Sequence, residues 1–187
     1  MKSETAGTPR RFRFCRGNRA LNANPVRVKE SVFQKVLALL TELNRHEVEY
    51  KVFGGIALIA HGIVRPTEDI DIFVSPTAEN IDRLKRALRA VWDDPSIDEI
   101  SYDDLVGDYP AVGYGPPDES LGVDILTRLG DAYSYDNVET EIKHLGSIPF
   151  AVATPRMLYD MKRDTVRPKD HADAELLKAL YDLEDDR

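Results

Sequence analysis

Hydrophobic and polar positions alternate along this chain in two periods, and the switches between them predict its elements. From Val28 to Arg45, Val32, Val36, Leu39, Leu40 and Leu43 recur at three- and four-residue spacing, the stripe of a first helix ended by Asn44-Arg45-His46. Glu47 to Phe53 changes to a period of two, with Val48, Tyr50 and Val52 on one face, and predicts a strand. Ile56 to His61 reads as a short helix behind Gly54-Gly55. In the next strand Ile70, Ile72 and Val74 point one way while Asp69, Asp71 and Phe73 point the other. Ser75-Pro76-Thr77 breaks it and caps a helix from Ala78 to Trp92, whose inner stripe is Ile81, Leu84, Leu88 and Val91.

The pattern weakens between Asp93 and Pro117, where prolines and glycines punctuate the chain; a short helix over Tyr102–Val106 and a strand over Ala111–Tyr114 are expected. Leu121 to Leu126 is a strand with Asp124 at its centre. Tyr135–His144 and Ser147–Val152 form two more, joined across Leu145-Gly146. Thr154 and Pro155 open a helix whose apolar side is Met157, Leu158 and Met161. A final helix runs from Pro168 to about Leu183, with Leu176, Leu177 and Leu180 as its core face. The succession predicts an α/β (α+β) fold: a small mixed sheet, helices mainly on one side, and a helical C-terminal section closing a cleft.

At 187 residues and 42% hydrophobic, the chain suffices for one domain over residues 25–187, with a core at about 46–130 and C-terminal strands and helices at about 135–183. The net charge of −8 is uneven. Residues 1–24 hold Lys2, Arg10, Arg11, Arg13, Arg16 and Arg19 against Glu4, so a flexible basic arm of +5 precedes a body of −13. Such an arm on an acidic body is compatible with holding a polyanion. It lacks the apolar run of a signal peptide, and no stretch approaches the ~18 apolar residues of a membrane span. A lone Cys15 excludes an internal disulfide and fits a reducing, cytoplasmic setting.

The candidate chemistry lies at residues 53–74, FGGIALIAHGIVRPTEDIDIFV. Two carboxylates on one strand face, Asp69 and Asp71, repel each other unless something positive sits between them. Oxygen-only ligands at that spacing suit Mg²⁺ (or Mn²⁺), which takes one or two carboxylates and leaves room for substrate phosphates. Gly54-Gly55 ahead of a helix lets backbone N–H groups approach a phosphate. A charged Asp124 inside an apolar strand is costly unless paired or metal-bound.

The Gly-Gly turn, the Asp-x-Asp strand and the later Asp124 resemble the core of the nucleotidyltransferases of the polymerase-beta superfamily. The resemblance implies that Asp69, Asp71 and Asp124 bind metal beside an NTP, with Asp124 as general base for an acceptor hydroxyl or as ligand of a second metal. Arg65 and Thr67, ahead of the acidic pair, would contact the nucleotide. Gly55 stands where many relatives have serine, leaving backbone donors to replace that hydroxyl. The tail TPRMLYDMKRDTVRPKDHADAELL resembles the abortive-infection toxin-type nucleotidyltransferases. That likeness implies that Lys162 neutralises nucleotide phosphates, that Asp170 or Asp173 orients the lysine or the nucleotide, and that an antitoxin partner exists.

The acceptor stays open at this level: an RNA such as a tRNA, a small molecule as in antibiotic adenylyltransferases, or a protein side chain; a non-catalytic nucleotide-binding module is the remaining alternative. Tyr102, Tyr109 and Tyr114 are candidates for stacking on a base. Lys85, Arg86 and Arg89 read as a solvated helix face, and His61 as a structural hydrogen-bonder.

Overall fold

The computed structural model describes residues 13–16 (backbone only), 32–118 and 121–184. Most of the basic arm, and residues 28–31 of the first expected helix, lie outside these. In order the elements are β1 (Arg13–Arg16), α1 (Val32–Arg45), β2 (Tyr50–Phe53), α2 (Gly54–Ala60), β3 (Asp69–Val74), α3 (Ala78–Val91), a 3-10 turn (Pro95–Glu99), α4 (Tyr102–Val106), β4 (Ala111–Gly115), β5 (Gly122–Leu126), β6 (Arg128–Leu129), β7 (Tyr133–Ser134), β8 (Thr140–Leu145), β9 (Ile148–Ala153), α5 (Pro155–Arg163) and α6 (Pro168–Tyr181). None of the described helices is long and apolar enough to cross a membrane.

Seven strands form one mixed sheet in the order β1-β4-β5-β3-β2-β9-β8, and β6 and β7 make a separate hairpin. β3 sits at the centre, antiparallel to β2 and parallel to β5. Its alternation decides which face meets what. Antiparallel partners share a face, so Val52 stands with Ile72, and Tyr50 with Val74. On that side the Tyr50 hydroxyl donates to Asn44 Oδ1 of α1 at 2.9 Å. α3 is tied in by Asn80, whose Nδ2 donates to the Glu49 and Ser75 carbonyls and whose Oδ1 accepts from Glu49 N. The other face carries Lys51, Phe53, Phe73 and the aspartates, with the Phe53 and Phe73 rings 4.3 Å apart. α5 and α6 stand across from this face, bounding the cleft that Asp69, Asp71 and Asp124 line. The expected arrangement is thus observed, with α1 and α3 on the apolar side of the sheet and the C-terminal α5 and α6 closing the cleft on the side that carries the chemistry.

Local signals set most boundaries. Glu47 takes φ of 53° and ends α1, with Val48 N donating back to Leu43 O at 2.9 Å, so β2 begins only at Tyr50. The Thr154 hydroxyl accepts from Met157 N at 3.2 Å and Pro155 fills the first turn of α5, as expected. Four expectations are amended. Arg13–Arg16 of the arm is a strand, parallel to β4, that places the Cys15 backbone beside Tyr114. Gly54-Gly55 does not precede α2 but forms its first turn. The strand expected from Tyr135 starts at Thr140, because residues 128–134 fold into the β6–β7 hairpin. On α6, Leu176 and Leu180 are 52% and 55% exposed; the buried stripe is Asp170, Asp173, Ala174 and Leu177. Two aspartates occupy the inward positions, so the apolar stripe read from the sequence is displaced around the helix.

Candidate active site

The site is built outward from the centre of the sheet. β3 and β5 run parallel with Asp71 beside Asp124 and Asp69 beside Gly122. The three carboxylates share one face, Asp69 exposed and the other two half-buried. Burial, then the neighbouring Asp69 and Asp124 charges, push the Asp71 carboxyl up to about 7. Burial and Asp69 raise Asp124 as well. Among the described residues no three such side chains close around a single point. The row is an open edge of hard oxygen donors whose charges repel. That arrangement fits Mg²⁺, which takes one or two carboxylates and completes its shell with water and substrate phosphates rather than a closed protein cage.

The glycine pair serves this row. Gly54 has φ of +64°, and a Cβ there would lie 1.9 Å from Asp71 Oδ2, so only glycine fits. Gly55 N–H donates to the same oxygen at 3.4 Å. A side chain at 55 would meet Thr67 Oγ1 at 2.6 Å. The Thr67 hydroxyl in turn donates to Asp69 Oδ1 at 2.9 Å. The glycines expected to cradle phosphate line the cavity and also make room for Asp71 and Thr67, and Thr67 steadies Asp69.

Across the cleft, Lys162 of α5 is buried and paired with two carboxylates. Its Nζ donates to Asp170 Oδ1 at 2.7 Å and pairs with Asp173 Oδ2 at 3.0 Å. Burial alone would raise Asp170; the Lys162 hydrogen bond and charge, with the Thr165 hydroxyl, outweigh it and hold that carboxyl below the usual range. Arg65 Nη1 donates to Asp173 Oδ2, so the loop ahead of β3 is bolted to α6. Two cations and two carboxylates form one network beneath the cleft wall.

Between the walls lies a cavity of about 730 Å³. Gly54, Gly55, Arg65, Asp69, Asp71, Asp124, Lys162 and Asp170 all line it; Thr67 and Asp173 stand behind. The sequence reading missed the cationic rim of Arg128, Arg167 and Lys169. Of the three stacking candidates only Tyr109 lines the cavity. Tyr114 is 1% exposed, donates to Asp94 Oδ2 and packs edge-on to Trp92; Tyr102 stands on α4 away from the cleft lining. His61 lies outside the lining, its Nε2 2.8 Å from the Ala153 carbonyl and its ring edge-on to Tyr181. On α3, Lys85 donates to the Asp98 carbonyl and Arg89 pairs with the Asp98 carboxylate, so this basic face is engaged locally.

A family model described as the nucleotidyl transferase AbiEii toxin of type IV toxin–antitoxin systems matches residues 39–186. No curated protein matches the chain. Among solved structures, that of ANT(2″)-Ia in complex with adenylyl-2″-tobramycin is similar at 14% identity and a TM-score of 0.47, covering 79% of this chain and 87% of that one.

Proposed function

This chain belongs to the AbiEii family of nucleotidyl transferase toxins and is a nucleotidyltransferase; we propose that it moves a nucleoside monophosphate, with the help of a divalent cation, from an NTP to the 3′-terminal hydroxyl of an RNA such as tRNA. One observation carries the reading. A row of mutually repelling carboxylates on β3 and β5 faces a cation-lined wall on α5 and α6 across one cavity. A triphosphate with a divalent cation matches both walls.

Asp69 and Asp71 would hold the cation, with Thr67 and Gly55 fixing their carboxylates. The bound cation supplies positive charge against the triphosphate and its pyrophosphate leaving group. Lys162, fixed by Asp170 and Asp173, presents its ammonium to the phosphates from the far wall. Asp124 accepts the proton of the acceptor hydroxyl, a role suited to a carboxyl held above its ordinary range. The acceptor oxygen attacks the α-phosphorus, the new O–P bond forms, the bond to the β-phosphate's bridging oxygen breaks, and pyrophosphate leaves. The family's type IV toxin–antitoxin assignment adds an antitoxin that opposes this activity.

The test is to incubate the protein with each α-labelled NTP, Mg²⁺ and total cellular RNA, and to resolve the products on a denaturing gel. Label on tRNA-sized bands, lost with Asp69→Ala or on chelation, supports the reading. Label that persists in Asp69→Ala ends it.

A further inference from the structure

The cavity divides at the carboxylate row, and its two halves differ in chemistry. Across the sheet the order is β4, β5, β3, β2. Gly54, Arg65 and Lys162 belong to the β2–β3 side, with Gly54 packed directly on Asp71. On the other side Asp124 is the last carboxylate of the row, and β5 continues through Leu126 into Arg128. Leu126 shares the face of Asp124 and pairs with Ala111 of β4, just beyond Tyr109 and Pro110. All of these line the cavity.

This second half is built rather than loose. The buried Thr127 donates its N–H to the Pro110 carbonyl and its hydroxyl to the Leu105 carbonyl. It also accepts from Tyr135 N, and Lys51 Nζ donates to the Tyr135 and Val138 carbonyls. The Tyr109 loop and the β6–β7 hairpin are thereby locked to each other and to the sheet. Yet the Tyr109 ring is 59% exposed, and neither its hydroxyl nor the Arg128 guanidinium has a hydrogen-bond or ion-pair partner among the described residues. Two locked segments that hold out an aromatic ring and an uncommitted guanidinium on the cavity that Asp124 also lines are suited to an unstacked nucleotide. Rings of this kind stack on bases of single strands, and arginine meets the backbone phosphate. Asp108 and Asp131 on the same rim are acceptors for base amino groups and ribose hydroxyls.

We infer that the β4–β5 half of the cavity is the acceptor site, and that it takes the single-stranded 3′ end of an RNA, with the terminal base stacked on Tyr109 and its phosphate on Arg128. The inference rests on the proposed RNA acceptor and adds where the RNA sits and which residues select it. It also fixes the direction of the reaction: NTP enters on the Lys162 side, and the acceptor hydroxyl meets Asp124 from the Arg128 side.

The experiment is steady-state transfer from α-labelled NTP to purified tRNA by wild type, Tyr109→Ala, Tyr109→Phe and Arg128→Glu, varying RNA and NTP in turn. Thermal melting and equilibrium NTP binding serve as folding controls. The expected result is an RNA KM raised roughly ten-fold or more by Tyr109→Ala and Arg128→Glu. Tyr109→Phe, which keeps the ring, stays within about two-fold, and the NTP KM is unchanged throughout. An unchanged RNA KM in both damaging variants, with wild type still labelling tRNA, overturns this inference alone. A raised NTP KM with an unchanged RNA KM overturns it in favour of an NTP base site. Wild type that labels no RNA but labels a cationic small molecule overturns the RNA reading itself.

Discussion

The two halves of the cavity are made differently. In the β2–β3 half nearly every chemical group is held by another: Asp71 by Gly55 N–H, Asp69 by Thr67, Lys162 by Asp170 and Asp173, Arg65 by Asp173. In the β4–β5 half the backbone is locked but the Tyr109 and Arg128 side chains are not committed. The contrast follows from the tasks. A triphosphate and its cation present the same charges in every turnover, so groups fixed in advance lose nothing by being rigid. An acceptor is the variable partner, and its site gains from side chains that adjust on a rigid platform.

The strongest way to break the first half is to remove its carboxylates. Asp69→Ala or Asp71→Ala should lower transfer by roughly 1000-fold or more, since several kcal/mol of charge stabilisation are lost. Circular dichroism should remain that of the wild type. Gly54→Ala attacks the same half through space. Its Cβ would overlap Asp71 Oδ2, and φ of +64° adds about 1–2 kcal/mol of backbone strain. A fall of about 100-fold in kcat is expected, with a lower melting temperature.

Lys162→Met should unpair Asp170 and leave Asp173 with Arg65 alone, costing about 3 kcal/mol in chemical denaturation. Adding Asp170→Asn should return most of that stability without returning activity. This outcome would separate the structural role of the network from its contact with substrate.

Asp71 makes the fold pH-sensitive. Its carboxyl is raised from about 3.8 to about 7 in the folded chain, so between those values the folded state holds the proton more tightly than the unfolded one. Stability of the metal-free protein should therefore fall as pH rises through that window and level off above about 7. Asp71→Asn should raise the metal-free melting temperature at pH 8 and leave it unchanged below pH 4. The smallest effect is expected from Thr67→Val, which removes only the hydroxyl on Asp69: a several-fold loss of kcat with an unchanged fold.

The same contrast explains what the sequence made legible. Asp69 and Asp71 share a strand face by parity alone and Gly54-Gly55 is marked as a turn by its residues, but the packing of that turn on Asp71 follows from the antiparallel β2–β3 register. Lys162 and Asp170 were marked only by the likeness of the tail to the toxin-type nucleotidyltransferases, since neither period nor spacing singles them out. Tyr109 and Arg128 come to one cavity only because β4 and β5 pair antiparallel and Thr127 ties the loops, a register no local pattern encodes. On α6, the inward turn of Asp170 and Asp173 hides behind a leucine pattern that points elsewhere. The β1 strand had no alternation to announce it, since RFCR is too short to carry a period.

The central claim is that the carboxylate row holds a divalent cation together with the NTP. Calorimetric titration of a non-hydrolysable NTP into wild type and Asp71→Ala, each with and without Mn²⁺, tests it most directly. The account predicts tight binding only for wild type with Mn²⁺, weakened at least ten-fold by removing either the metal or the carboxylate. Equal binding in all four conditions would contradict it, and would leave the row as a scaffold that binds nucleotide without the chemistry.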